Sequence, residues 1–235
     1  VVRPGGKKVV PKQARQFLAE ALGTFVLVFG GCLTVAAVGK FGGGSVPHIA
    51  IALGFGLALL GGLFAFADVS GGHYNPAVSL AMHLSGRMSI VDMVTYWVAQ
   101  AIGGIGGGVI LYVITNRATV KGTTTLPGAG ISQGTAFLVE ALLTGIFIVV
   151  ILQASQKGSI GLVAIPLTLV IVHLAGIPFS GASVNPARSL GSALVGGNWH
   201  AFWVYLAGPA VGAIGAWLVH TVVVKGETPS VPSAS

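Results

Sequence analysis

The sequence predicts an all-α membrane protein of six transmembrane helices plus two re-entrant half-helices, arranged as an inverted 3+3 repeat. Three observations predict it. Of the 235 residues, 54% are hydrophobic and only 7% are charged, whereas a soluble domain carries about a quarter charged residues. Such a chain cannot cover a globule with polar surface, so it belongs in lipid. Six apolar runs are each long enough to cross a hydrocarbon core of roughly 30 Å. Finally, Ser-Gly-Gly-His-Tyr-Asn-Pro-Ala-Val-Ser-Leu at 70–80 returns as Ser-Gly-Ala-Ser-Val-Asn-Pro-Ala-Arg-Ser-Leu at 180–190, identical at seven of eleven positions.

Residues 1–15 carry Arg3, Lys7, Lys8, Lys12 and Arg15 among Gly and Pro and read as a cytoplasmic tail. They are polar and the first apolar run is span-length, so no cleavable signal peptide is expected. Span one covers Gln16–Val38, and Gly39–Pro47 is a glycine-rich loop. Span two covers His48–Ala67. The first Asn-Pro-Ala segment follows, with an apolar run only to Leu84, too short to cross. Span three is Ile90–Ile114, and Asn116–Gly130 is a polar connector. Span four is Gln133–Gln153, span five Ile160–Ile177. The second Asn-Pro-Ala segment runs to Val195, span six is Trp199–Val224, and 225–235 is a Pro/Ser-rich tail of disordered composition. The membrane body is 16–224, with repeat one over 16–114 and repeat two over 133–224.

Asn before Pro is a helix-start signal, because proline suits the first turn, where its missing N–H is not needed. One Asn-Pro-Ala is an ordinary helix start; two with matched flanks mark a duplicated site. The duplication extends outward. Glu20-Ala-Leu-x-Thr24 returns as Glu140-Ala-Leu-x-Thr144, and Ala101-x-Gly-x-Ile-Gly106 as Ala210-x-Gly-x-Ile-Gly215. Each half holds three spans. Three is odd, so the second half enters from the opposite face and the repeats are inverted. The short helices then dip in from opposite sides and can meet near the midplane. Irregular backbone at that depth is tolerated only where protein buries it or a wet cavity adjoins it.

The net charge of +7 is a topology signal rather than a nucleic-acid footprint. With the N-terminus inside, the inner side holds eight Lys and Arg (Arg3, Lys7, Lys8, Lys12, Arg15, Arg87, Lys157, Lys225) and the outer side three (Lys40, Arg117, Lys121). That bias agrees with six spans and both termini cytoplasmic. The 37 glycines suit close helix approach. Cys32 is the single cysteine, which excludes an intramolecular disulfide. No catalytic constellation, phosphate loop or metal-ligand spacing stands out, so neither an enzyme nor a bound cofactor is expected.

Some residues demand an account at bilayer depth. Arg188 follows the second Asn-Pro-Ala where the first repeat has Val78, and a charge there costs at least ~3 kcal/mol. It must face water or a partner. Glu20 and Glu140 are the carboxylates deep in spans; a catalytic pair is conceivable, but their equivalence across repeats argues for structure. Asn75 and Asn185 cap their half-helices in the plainest reading. Asp68, Asp92, His83 and His200 read as interfacial or loop residues, and Cys32 as a packed small residue.

The twin motifs, with the duplicated Glu, resemble the aquaporin family, also called the major intrinsic proteins, in its water-selective branch. The resemblance covers Arg15 to Val224. It implies one pore per subunit, a homotetramer in the plasma membrane and water as the permeant. It also implies that Asn75 and Asn185 donate to passing water, their half-helix dipoles adding a positive field. Phe55, His173, Ala182 and Arg188 match the family's selectivity filter, and His73 the loop histidine lining the inner half of the pore. Ala182 departs from the Thr or Cys frequent there. Glu20 and Glu140 would accept hydrogen bonds from the dipping loops, offsetting polar groups otherwise costing a few kcal/mol each. A glycerol facilitator is the alternative within the family. It usually carries Asp after the motif arginine, where this chain has Ser189, and a smaller residue in place of the filter histidine. Alternatives from other classes are a coupled carrier using Glu20 or Glu140, and a non-conducting junction protein.

Overall fold

The computed structural model describes residues 9–42 and 47–230. Arg3, Lys7 and Lys8 of the amino-terminal tail, 43–46 of the glycine-rich loop and the last five residues lie outside the described residues. The helices are α1 (Lys12–Phe41), α2 (Pro47–Ser70), α3 (Pro76–Leu84), α4 (Ile90–Ile114), α5 (Arg117–Gly122), α6 (Gln133–Ala154), α7 (Ser159–Ser180), α8 (Pro186–Gly196) and α9 (Val204–Val219). A π-helical turn, His220–Lys225, continues α9. Six of these are long and apolar enough to cross a membrane, counting α9 with its π turn. The half-helices α3 and α8 have 9 and 11 residues, about 14 and 17 Å of helix, and cannot span.

The chain is all-helical with an inverted 3+3 repeat, and its packing obeys that repeat. In the first half α1 packs on α2 and α4; in the second, α6 packs on α7 and α9. Each half-helix crosses over, α8 resting on α4 and α3 on α9. Glycines make these crossings close. A Cβ at Gly103 would overlap the Ala21 carbonyl, and one at the equivalent Gly212 the Ala141 carbonyl. Gly104 and Gly191 admit the α4–α8 crossing: a Cβ on either would overlap backbone of the other helix, at Ala187 and Gly104 respectively. With lipid as solvent, backbone approach of this kind is a main source of helix association.

Three details differ from the sequence expectation. Helix α1 runs Lys12–Phe41, taking in Lys12 and Arg15 of the expected tail and the first residues of the expected glycine-rich loop. The polar connector contains a short helix, α5, capped by Asn116, whose side-chain oxygen accepts from Thr119 N at 2.9 Å. Span six starts as helix at Val204, not Trp199, because Ala201 sits at φ +54 and 199–203 form turns. At one end of the bundle Arg87 donates through Nη1 to Leu152 O at 2.8 Å and to Ser155 Oγ at 3.3 Å. This ties the α3–α4 connection to the α6–α7 connection, so Arg87 and Lys157 share one end, as the charge count requires.

Candidate functional site

The two loops that precede α3 and α8 are built alike. Positive φ angles fall at Gly71, Gly72 and Tyr74 in one, and at Gly181, Ala182 and Val184 in the other. Only at 72/182 does a glycine become a residue with a Cβ. A non-glycine residue in this region costs about 1–2 kcal/mol, so the surroundings must hold the loops, and Glu20 and Glu140 do so. Glu20 Oε1 accepts from Ser70 Oγ (2.7 Å) and His73 N (3.0 Å), and Oε2 from Tyr74 N (2.8 Å) and Gln100 Nε2 (2.8 Å). Glu140 Oε1 accepts from Ser180 Oγ (2.7 Å) and Ser183 N (2.8 Å), and Oε2 from Val184 N (2.7 Å). Both carboxylates are fully buried.

The half-helices then meet end to end. Asn75 Oδ1 caps α3 by accepting from Ala77 N at 2.9 Å; Asn185 Oδ1 caps α8 by accepting from Ala187 N at 3.0 Å and Arg188 N at 3.2 Å. Each amide nitrogen crosses to the other loop. Asn75 Nδ2 donates to Val184 O at 2.7 Å, and Asn185 Nδ2 to Tyr74 O at 2.9 Å. Capping is therefore only part of their bonding. An amide nitrogen has two protons, so one remains on each asparagine, and both line the same cavity.

That cavity also gathers Phe55, His73, His173, Ser183 and Arg188, against apolar walls that include Leu27 and Phe147. Its volume is about 20 Å³, room for one or two waters. Phe55 from α2 stacks on His173 from α7, centroids 4.6 Å apart, and the Arg188 guanidinium lies 5.0 Å from the Phe55 ring centroid. Arg188 Nη1 donates to Thr123 O at 2.8 Å and Ser192 Oγ at 3.1 Å. Its Nε, and Nε2 of His173, are buried without a protein partner. Ala182 is fully buried in the loop and lies outside the residues lining this cavity. His73 Nδ1 is 3.0 Å from Ser79 Oγ. Its repeat mate Ser183 is likewise 2.6 Å from Ser189 Oγ, the repeat mate of Ser79.

Of the side chains given bland readings, His83 Nδ1 bonds Met88 O at 3.1 Å within the α3–α4 turn, and Asp92 accepts from Ser89 Oγ at 2.8 Å at the start of α4. Cys32 is buried as a free thiol. Among the described residues, no three His, Cys, Asp or Glu side chains come together as a metal would need.

The family model "Major intrinsic protein" matches residues 8–220. The chain belongs to the major intrinsic protein family. It is 37% identical over 216 residues to Aquaporin Z of Photorhabdus laumondii, covering 85% of this chain and 93% of that protein. It is 40% identical over 210 residues to Glycerol uptake facilitator protein-like 6 of Lactiplantibacillus plantarum, covering 85% and 94%. Its fold matches the X-ray structure of the aquaglyceroporin from Plasmodium falciparum with a TM-score of 0.79 at 29% identity, covering 90% of this chain and 97% of the other. As a major intrinsic protein it is a multi-pass transmembrane channel and not an enzyme.

The sequence reading of this major intrinsic protein missed several residues around the cavity. Tyr96 OH donates to Ser70 O at 2.7 Å, and Tyr205 OH to Ser180 O at 2.8 Å, each fastening the end of a spanning helix to its loop. The pair stands at the same repeat offset as Ala101 and Ala210, so extending the alignment finds it. Gly31 leaves the space in which the Phe55 ring lies, and Thr123 holds Arg188 by a carbonyl. Neither role has a sequence signature, because any residue has a carbonyl and a glycine does not name its neighbour.

Proposed function

We propose that this channel passes water in single file and rejects glycerol, ions and protons, with Asn75 and Asn185 at the centre and Phe55, His173 and Arg188 at the filter. The observation that carries this reading is the cavity of about 20 Å³ bounded by those residues. A space of that size takes a water and is small for a three-carbon polyol. Arg188 Nε, His173 Nε2 and the spare amide protons give water exchangeable partners, while Leu27, Phe55 and Phe147 supply none. Ala182, buried in the loop outside the residues that line the cavity, adds no side-chain wall to this filter. His73 lines the inner half, and Glu20 and Glu140 support the loops.

A second reading, passage of glycerol or another small neutral solute, is favoured by the 40% identity to a protein named as a glycerol uptake facilitator. Against it stand His173, which occupies a wall that glycerol would need open, and Ser189, which forms a hydroxyl chain with Ser183 and Thr125, 2.6 Å from each. The same reading takes the chain as a homotetramer in the plasma membrane, with 16–224 as the channel body, both termini cytoplasmic, and no cofactor or nucleic acid. Proteoliposomes decide between the two. Under osmotic shock with an impermeant solute, shrinkage should be fast; with glycerol as the osmolyte, vesicles should shrink and stay shrunken. Prompt re-swelling in glycerol would replace the water-selective reading with the second one.

A further inference from the structure

Gln100 is buried on α4 with one amide atom fully used and the other idle. Its Nε2 lies 2.8 Å from Glu20 Oε2 and 3.0 Å from Ser79 Oγ, while its Oε1 is buried without a partner. The second repeat has Pro209 at the equivalent place, so this amide is not part of the duplicated brace. Its orientation follows from its neighbours. Glu20 otherwise bonds two backbone N–H groups and the Ser70 hydroxyl, so a flipped Gln100 would turn a carbonyl oxygen toward a carboxylate oxygen. The nitrogen therefore faces Glu20, and its second proton faces Ser79.

An amide nitrogen has no lone pair to offer. Ser79 Oγ accepts from Gln100, and its single proton must go elsewhere. The other atom in reach is His73 Nδ1, 3.0 Å away. A nitrogen that accepts this proton carries none of its own, and a neutral imidazole then holds its proton on Nε2. On the other side of the paired asparagines the opposite holds. His173 Nδ1 is 2.9 Å from Leu169 O; a carbonyl only accepts, so Nδ1 is protonated and Nε2 presents a lone pair.

We infer that Gln100 and Ser79 are positioning residues that fix the tautomer of His73, so that the two pore histidines present opposite polarity to the water file: His73 donates through Nε2–H and His173 accepts at Nε2. Water at His173 donates a hydrogen bond to the ring, and water at His73 accepts one. The inference rests on the proposed reading of the cavity as the conduction path, but its readout does not.

The test is solid-state ¹⁵N NMR of histidine-labelled full-length protein in liposomes. The His73 signals are assigned by difference from His73→Asn. The expected spectrum shows one neutral His73 ring with the proton on Nε2. Ser79→Ala should replace that single form with a mixture of both tautomers, Ser79→Thr should restore it, and Gln100→Leu should mix it by freeing the Ser79 hydroxyl to turn. A proton on Nδ1 of His73 in the unmodified protein overturns the inference, as does a Ser79→Ala spectrum identical to the unmodified one. If the substituted chains do not assemble, the unmodified spectrum decides alone. Water flow is measured on the same liposomes. Flow with the wrong tautomer sinks this inference and spares the channel reading; the right tautomer without flow does the reverse.

Discussion

Arg188 is fixed at one nitrogen and unpaired at another. Nη1 is held by Thr123 O and Ser192 Oγ, whereas Nε lacks a protein partner. Arg188 lines the cavity, so its charge is held in place at the cavity wall. At an effective dielectric of about 20, two unit charges 4 Å apart repel by about 4 kcal/mol, enough to hold a cation back by roughly a thousandfold. Arg188→Val should therefore open a cation or proton leak, measured as vesicle conductance, while water still passes. His173→Gly should remove the stacked wall beside Phe55 and let glycerol re-swell shrunken vesicles; failure of both substitutions to alter selectivity would move the filter elsewhere. Glu20 argues at the same scale. Glu20→Gln turns one acceptor into a donor facing donors, at a cost of a few kcal/mol. Folded yield should fall, and the protein that does assemble should keep its selectivity. Normal assembly with a new pH-coupled uptake would instead make Glu20 a transport carboxylate.

At the scale of elements, the sequence showed the spans and half-helices clearly and the contacts between them poorly. Hydropathy finds a long apolar run without reference to a partner, and Asn-Pro marks a helix start locally. The six-residue α5 is too short for either signal. The turns at 199–203 hide in an aromatic run, Trp199 to Trp203, whose composition suits the end of a span equally well. The asparagines and Glu20 with Glu140 could be found because the repeat names them twice. Gln100, Ser192 and Gly31 could not, since their roles arise only when helices from distant parts of the chain meet. Glycine packing gives a test of that meeting. A Cβ at Gly191 would overlap Gly104 backbone, whereas one at Gly215 would have nothing within 4 Å. Gly191→Val should push α8 off α4, displace Arg188 and lower the yield of monodisperse protein in detergent. Gly215→Ala should leave yield and water flow unchanged. Equal tolerance at both sites would show that the α4–α8 crossing is not what holds the half-helix.

The molecule as a whole places two oppositely directed half-helices with their N-termini facing each other across Asn75 and Asn185. Each N-terminus carries roughly half a positive charge, and with the two ends facing each other their positive potentials add at the meeting point. On the proposed reading, a water there meets one spare amide proton from each asparagine, while each Oδ1 is turned to its own helix as a cap. Its oxygen accepts from both amides, and both its protons point outward to its neighbours. A proton relay needs each water to accept from one neighbour and donate to the next, so on the proposed reading the file is broken at its centre. A hydronium arriving there also meets the positive field of both helix ends, with Arg188 adding to it on the filter side. Proton conductance should therefore be negligible at water fluxes that empty a vesicle. Liposomes loaded with a pH-sensitive dye and placed in a pH gradient should acidify no faster than protein-free liposomes, with an uncoupler confirming that the dye responds. Asn185→Asp should weaken the block by adding a negative charge at the centre, raising proton leak above that of the unmodified channel. Acidification of the unmodified channel at a rate that tracks its water flow would mean that the file is continuous, and the role given to the asparagines would fall.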